Sequence, residues 1–118
     1  MTYVLLIYRA DLASGPSSEE EQVALEEHRA LQGDAAARGQ LRAVARLDDT
    51  RDARTVKRGR SGAHDVTDGP YVETKEWLVG FYLIDCDSEE QALARAKAIC
   101  TDEHHAIEIR PALWRWEP

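Results

Sequence analysis

Long apolar runs are missing from this chain. Its most continuous stretch, Trp77-Leu78-Val79-Gly80-Phe81-Tyr82-Leu83-Ile84, falls far short of the ~20 residues a membrane helix needs, so no membrane role is expected. The start, Met1-Thr2-Tyr3, has no basic stretch ahead of a hydrophobic region. No signal peptide is visible there, and the expected location is the cytoplasm. Cysteine is scarce: Cys86 and Cys100 are too few and too widely spaced for a CxxC-type metal or redox motif. Both are expected to pack as small hydrophobes, with pairing between them left open. Positive charge is in deficit, with 15 Lys and Arg against 22 Asp and Glu and a formal net charge of -7. That balance argues against nucleic-acid binding, which favours a basic face. A basic middle section does exist (Arg42, Arg46, Arg51, Arg54, Lys57, Arg58, Arg60), and it reads as a solvated hairpin. Nucleophile elbow, Walker loop, dinucleotide fingerprint and HExxH are all lacking, so no cofactor is expected. His104-His105, read as a loop after the second helix, lacks the further ligands of a metal site, and no metal is expected either.

What is present describes one domain. At 118 residues, 43% hydrophobic and 31% charged, the chain has the material for a single core but not for two. Tyr3 to Tyr8 is short, rich in branched residues and apolar on both faces, as a central strand covered from two sides would be. A loop from Arg9 to Pro16 precedes a helix, whose capping box is read as Ser18 with Glu21 and whose stop is Gly39. Its inner stripe is Ala24, Leu31 and Ala35, with His28 at the centre. A strand follows over Leu41–Leu47, with Leu41, Ala43, Ala45 and Leu47 sharing one face, then a short strand at Thr55-Val56-Lys57 and a return through Ala63–Thr67. Trp77–Ile84 is apolar on both faces, with Leu78, Tyr82 and Ile84 on one and Trp77, Val79, Phe81 and Leu83 on the other. A second helix starts at an Asp87/Glu90 cap pair and carries a stripe of Ala92, Leu93, Ala96, Ile99 and Cys100. Ala106–Arg110 is the last strand, ended by Pro111.

This order condenses to an α+β fold, a ferredoxin-like βαββαβ two-layer sandwich. Two helices cover only one face of a sheet, yet two of its strands are apolar on both faces. A second copy of the same sheet is the simplest lid, so a homodimer packed sheet to sheet is expected. The tail Leu113-Trp114-Arg115-Trp116 is expected to pack on the domain or on a partner.

Asp68-Gly69-Pro70-Tyr71-Val72-Glu73-Thr74-Lys75-Glu76 organises the chain. Asp68-Gly69-Pro70 reads as a tight turn, and four charged or hydroxylated side chains then crowd against the strand that begins at Trp77. One reading makes this a polar site at the mouth of the inter-sheet cleft. Lys75 and Glu76 there bind an acidic substrate, and Asp68 or Glu73 serves as general base. The other has Asp68 cap its own turn while Glu73, Lys75 and Glu76 form ion pairs that fix hairpin or dimer. His28 is likewise either a packed histidine with one hydrogen bond or a catalytic acid–base group. Tyr8, Tyr71, Tyr82 and Trp77 are core residues or the lining of an aromatic-friendly pocket. His64, beside Asp65 and Asp68, reads as an exposed loop histidine.

DGPYVETKE, followed by GFYLID, resembles the signature of the DGPF (YCII-related) family, with Tyr71 standing where that family usually has Phe. The likeness takes in the opening Tyr-Val-Leu-Leu-Ile-Tyr and the Glu108-Ile109-Arg110-Pro111 near the end. It implies a dimeric α+β barrel. It also implies a small-molecule protein, in one form a proton-transfer enzyme acting on small cyclic or aromatic metabolites. The alternative it implies is a non-catalytic regulatory module, because such proteins are often encoded beside extracytoplasmic-function sigma factors, which makes a sigma factor a candidate partner.

Overall fold

A computed structural model describes residues 1–10, 15–71 and 76–118. The first strand, β1 (Thr2–Ala10), alternates buried Tyr3, Leu5 and Ile7 with half-buried Val4 and Leu6, so one face meets the helices and the other is left open. Helix α1 (Ser18–Ala37) is started by Ser17, not Ser18. The Ser17 hydroxyl accepts from the Glu20 backbone N–H at 3.1 Å, and the Glu20 carboxylate accepts from the Ser17 N–H at 3.1 Å. Ser17-Ser18 followed by three glutamates allows either register, which is why the sequence pattern slipped by one. Gly39, at φ +66°, ends the helix in the left-handed conformation that favours glycine.

Strand β2 (Leu41–Arg46) leads through a short 3-10 turn into β3 (Arg54–Arg58) and β4 (His64–Asp68), which pair with one another in a two-stranded sheet of their own. The main sheet is completed by β5 (Glu76–Asp85) and, after helix α2 (Glu89–Ile99), by β6 (His105–Pro111). Its order is β2-β5-β1-β6, antiparallel throughout. With the β3–β4 hairpin set aside, this is the ferredoxin-like βαββαβ arrangement. Every residue of β4 is exposed, as is all of β3 except Thr55. The radius of gyration, 16.3 Å, exceeds the roughly 13–14 Å of a compact domain of this length. A hairpin standing off the sandwich accounts for the excess.

Tyr3, Leu5, Ile7, Leu31, Ala35, Tyr82, Ile84, Cys86, Ala92 and Ile99 form the core between sheet and helices. Helix α2 is capped by Ser88, whose hydroxyl accepts from the Gln91 N–H, and not by Asp87. Its buried stripe is Ala92, Ala96 and Ile99 only; Leu93 and Cys100 are exposed. Cys100 therefore does not pack as a core hydrophobe, whereas Cys86 does, and both thiols are free. Among the described residues no helix is long and apolar enough to cross a membrane.

Two irregularities re-sort the faces that simple alternation assigns. The β1–β5 register moves from Ile7 opposite Gly80 to Tyr8 opposite Leu78, which leaves Val79 as an extra residue. Directly opposed residues share a face, so Leu78 joins Tyr8 on the open face, and Trp77 joins Arg9 on the helix face. Val79 packs against the core. A similar shift in β2 puts Leu41 opposite Ile84 on the helix face and Ala43 and Ala45 opposite Leu83 and Phe81 on the open one. Gly80 is required at its position. A Cβ there would lie 2.8 Å from the Ala45 backbone oxygen, closer than the β2–β5 pairing permits.

The tail differs from expectation in one respect. Leu113, Trp114 and Trp116 are 104%, 77% and 71% exposed, so they do not pack on their own domain. Arg115 anchors the segment through ion pairs with Asp85 and Glu117.

Candidate functional site

Two histidines lie on the helix face of the sheet. The helical spacing of α1 aims His28, Leu31, Gln32 and Ala35 at the sheet, and Tyr82 of β5 comes up to meet them. The Tyr82 side chain is fully buried. Its hydroxyl lies 2.7 Å from His28 Nδ1 and accepts from Gln32 Nε2 at 3.0 Å, while the imidazole and phenol rings lie parallel within 5° with centroids 5.7 Å apart. A buried hydroxyl proton needs an acceptor, and His28 Nδ1 is the one within reach among the described residues. Tyr82 therefore donates to Nδ1, and neutral His28 carries its proton on Nε2. Burial lowers the pKa of His28 below its ordinary 6.5, helped by the electrostatic influence of His105 and Arg46. Burial likewise raises that of Tyr82. Both groups are thus held in their uncharged forms at neutral pH.

The second histidine, His105, opens β6 instead of lying in a loop. Its Nδ1 is 2.9 Å from Oδ1 of Asp102, whose side chain is 2% exposed and which also accepts from the His104 backbone N–H at 2.8 Å. Burial pushes the Asp102 carboxyl up, but the hydrogen bonds from His105 and His104 outweigh it and hold the pKa below the usual carboxylate range. An ionised carboxylate only accepts, so His105 donates from Nδ1. The β1–β6 register sets Arg9 opposite His105, and Arg9 is also opposite Trp77, which puts all three on the helix face. His104 is buried, with Nε2 4.0 Å from a Glu20 carboxylate oxygen and Nδ1 unbonded.

The residues singled out in the sequence are not gathered in one place. His28 is half-buried beneath α1. Tyr8 is half-buried on the open face, and Trp77 is half-buried on the helix face at the start of β5, where Glu76 is exposed. Asp68 sits on the hairpin, its side chain 87% exposed and 3.2 Å from Arg54 Nη1. Tyr71 is exposed beside the hairpin, with Lys57 Nζ 5.7 Å from its ring centroid. His64 is an exposed residue of β4. Glu73 and Lys75 lie outside the described residues. The Asp68 turn has the expected glycine geometry, with φ +95° at Gly69 and its N–H donating to the Ala53 carbonyl at 2.9 Å. Sequence reasoning passed over Asp102, His105, Gln32 and the hydroxyl of Tyr82. The available signal was the Asp102/His105 spacing, which lets a carboxylate reach an imidazole three residues on. No group of three or more His, Cys, Asp or Glu fit to hold a metal occurs among the described residues.

Residues 1–117 match the YCII-related domain. The chain belongs to the YCII-related domain family. A curated relative of this YCII-related protein, an uncharacterised protein of Rhizobium meliloti (strain 1021), is 39% identical over 114 residues, covering 94% of this chain and 91% of the relative.

The lowered pKa of His28 has a consequence for the stability of this YCII-related domain. Between that pKa and 6.5 the unfolded chain binds a proton that the folded chain does not, so stability rises with pH across the interval. The His28 contribution is complete above about pH 6.5 and is lost as the pH falls through the folded value. Melting curves from pH 7.5 down to 5 are expected to show a decline that shrinks in His28→Gln. The lowered carboxyls of Asp34, Asp85 and Asp102 act in a separate window, below the ordinary carboxylate range.

Proposed function

We propose that this chain binds a small, cyclic or aromatic metabolite and acts on it by acid–base chemistry with its own side chains. The observation that supports this most is the His28–Tyr82 pair. It is a neutral, half-buried imidazole whose Nδ1 is taken by a buried hydroxyl, so that Nε2–H is free to donate. A neutral imidazole held this way hydrogen-bonds a substrate oxygen without the desolvation cost of burying a charge. His28 is the catalytic group in this reading. Glu73 is a supplementary carboxylate, and Lys75, Glu76 and Trp77 are substrate-binding residues; Tyr8, on the open face, and Asp68 and Tyr71, at the hairpin, stand apart from His28 and are left out of the site.

The working form is a homodimer. Val4, Leu6, Tyr8, Leu78, Phe81 and Leu83 make the open face of the sheet apolar, and a second open face is a matching cover for it. Sheet-to-sheet packing would close an α+β barrel and shelter the strand ends.

Thermal melting with a library of small acids, phenols and cyclic metabolites tests the reading. A ligand at a hundredfold excess over Kd stabilises by about 2.7 kcal/mol. That shift should appear with the wild type and vanish in His28→Gln, and Lys75→Ala and Glu73→Gln should weaken it. A ligand whose shift survives His28→Gln would move the site elsewhere.

A second reading is favoured by the exposed Leu113, Trp114 and Trp116, which suit a protein contact. In that reading the chain is a non-catalytic regulatory module, with a sigma factor as the partner to try.

A further inference from the structure

We propose that the C-terminal tail is part of the homodimer interface, and that Trp114 and Trp116 of each copy are buried against the other. This rests on the homodimer reading, and it assigns to a second copy the indoles that the second reading gives to a foreign protein. The tail is held on the open face of the sheet. Tyr3 and Ile84, opposite one another, are buried on the helix face, so Thr2 and Asp85, the next opposed pair, stand at the end of the open face. The Thr2 hydroxyl donates to one Asp85 carboxylate oxygen at 2.6 Å, and Arg42 donates to the other from Nε at 2.8 Å. Arg115 Nη2 lies 3.8 Å from that second oxygen. The tail leaves the edge strand β6 with the Ala112 N–H donating to the Thr2 carbonyl at 2.8 Å. In reaching Asp85 on β5 it therefore passes β1 on the open side. The Arg115 side chain is 22% exposed, whereas the indoles before and after it stand in water.

A body that covers the apolar open face also meets these indoles, because the anchor lies on the face of Val4 and Leu83, an opposed pair two residues along. Aromatic side chains bury roughly 150–250 Å² each, so two indoles from each of two copies supply roughly 600–1,000 Å². That is a large share of the about 1,600 Å² of a standard interface, and the sheet faces supply the rest. The charge pattern selects a like copy. Arg42, Arg115, Asp85 and Glu117 are two of each sign joined in ion pairs. On β6, Glu108 opposite Leu6 and Arg110 opposite Val4 place one further charge of each sign on the open face. A face that carries both signs in balance complements itself under two-fold rotation, while a strongly charged foreign partner finds no matching field there.

Sedimentation equilibrium and tryptophan emission over a hundredfold range of concentration test this. Trp114→Ser combined with Trp116→Ser should raise the dimer Kd by roughly tenfold or more, as expected for indoles at an interface. The far-UV circular dichroism should stay that of the wild type, because both residues are exposed in the single chain. Wild-type emission should move to shorter wavelength as the dimer forms, and the emission of the double variant, which keeps only Trp77, should not. Arg115→Ala, which unpins the tail but keeps both indoles, should weaken the dimer by a smaller factor. A double variant that dimerises as tightly as wild type overturns the tail proposal and leaves the homodimer standing. Emission that stays constant while the wild type dimerises also overturns it, and returns the indoles to a foreign partner. A wild type that is monomeric throughout overturns both.

Discussion

Tyr82→Ala is expected to destabilise the domain by about 3–5 kcal/mol, the range for deleting a large buried aromatic side chain. Tyr82 is fully exposed to none of the solvent and pairs across the sheet with Leu5 of the central strand, so no nearby surface can collapse into the space. Tyr82→Phe separates packing from polarity. It keeps the ring and removes the hydroxyl that serves His28 Nδ1 and Gln32 Nε2, at a cost of about 1–3 kcal/mol for the partners left unsatisfied. Guanidinium unfolding should rank wild type above Tyr82→Phe, and Tyr82→Phe above Tyr82→Ala. The phenylalanine variant should also lose ligand shifts, because His28 is then free to place its proton on either nitrogen. Equal stability of wild type and Tyr82→Phe would show that the hydroxyl holds nothing.

Leu5→Ala is the second large effect, about 2–5 kcal/mol, because Leu5 is fully buried between sheet and helices. Its neighbour Leu6 points the other way, opposite Phe81 on the open face, and is only half-buried in the single chain. If two open faces pack together, the cost of Leu6→Ala depends on protein concentration, whereas the cost of Leu5→Ala does not. Melting across a hundredfold concentration range, read beside sedimentation equilibrium, separates the two. A Leu6→Ala cost that is small and independent of concentration would remove the homodimer.

The fold was legible because its signals are local and repetitive. The alternation of Tyr3, Leu5 and Ile7, the α1 stripe through Leu31 and Ala35 and the Gly39 stop all mark elements that the chain forms where expected. The failures have equally local causes. Ser17 and Ser18 offer alternative caps, as do Asp87 and Ser88, and only backbone geometry chooses between them. The Val79 bulge exchanges the faces of Leu78 and Trp77, and a one-residue insertion leaves no trace in composition. Leu93 falls outside the α2 stripe because α2 buries little more than two alanines and Ile99.

The site was less legible. His28 stood out by its position on the helix, but its partner Tyr82 reads as one more core aromatic. Asp102 and His105 lie in a segment whose sequence looks like a polar loop, and only the folded chain buries the carboxylate. The DGPY signature identified the family and a turn. Its Asp68 is an exposed hairpin residue paired with Arg54, in a sheet separate from the one against which the two histidines lie.

The protonation of one imidazole, His28, decides what this site can do. Nitrogen-15 correlation NMR of the histidine rings, recorded between pH 5 and 8 on wild type and Tyr82→Phe, reads it directly. His28 at pH 7 is expected to be neutral with its proton on Nε2 and to titrate below 6.5, and removing the Tyr82 hydroxyl is expected to loosen this preference. A His28 ring that is protonated on Nδ1 at pH 7, or that carries both protons there, would contradict it.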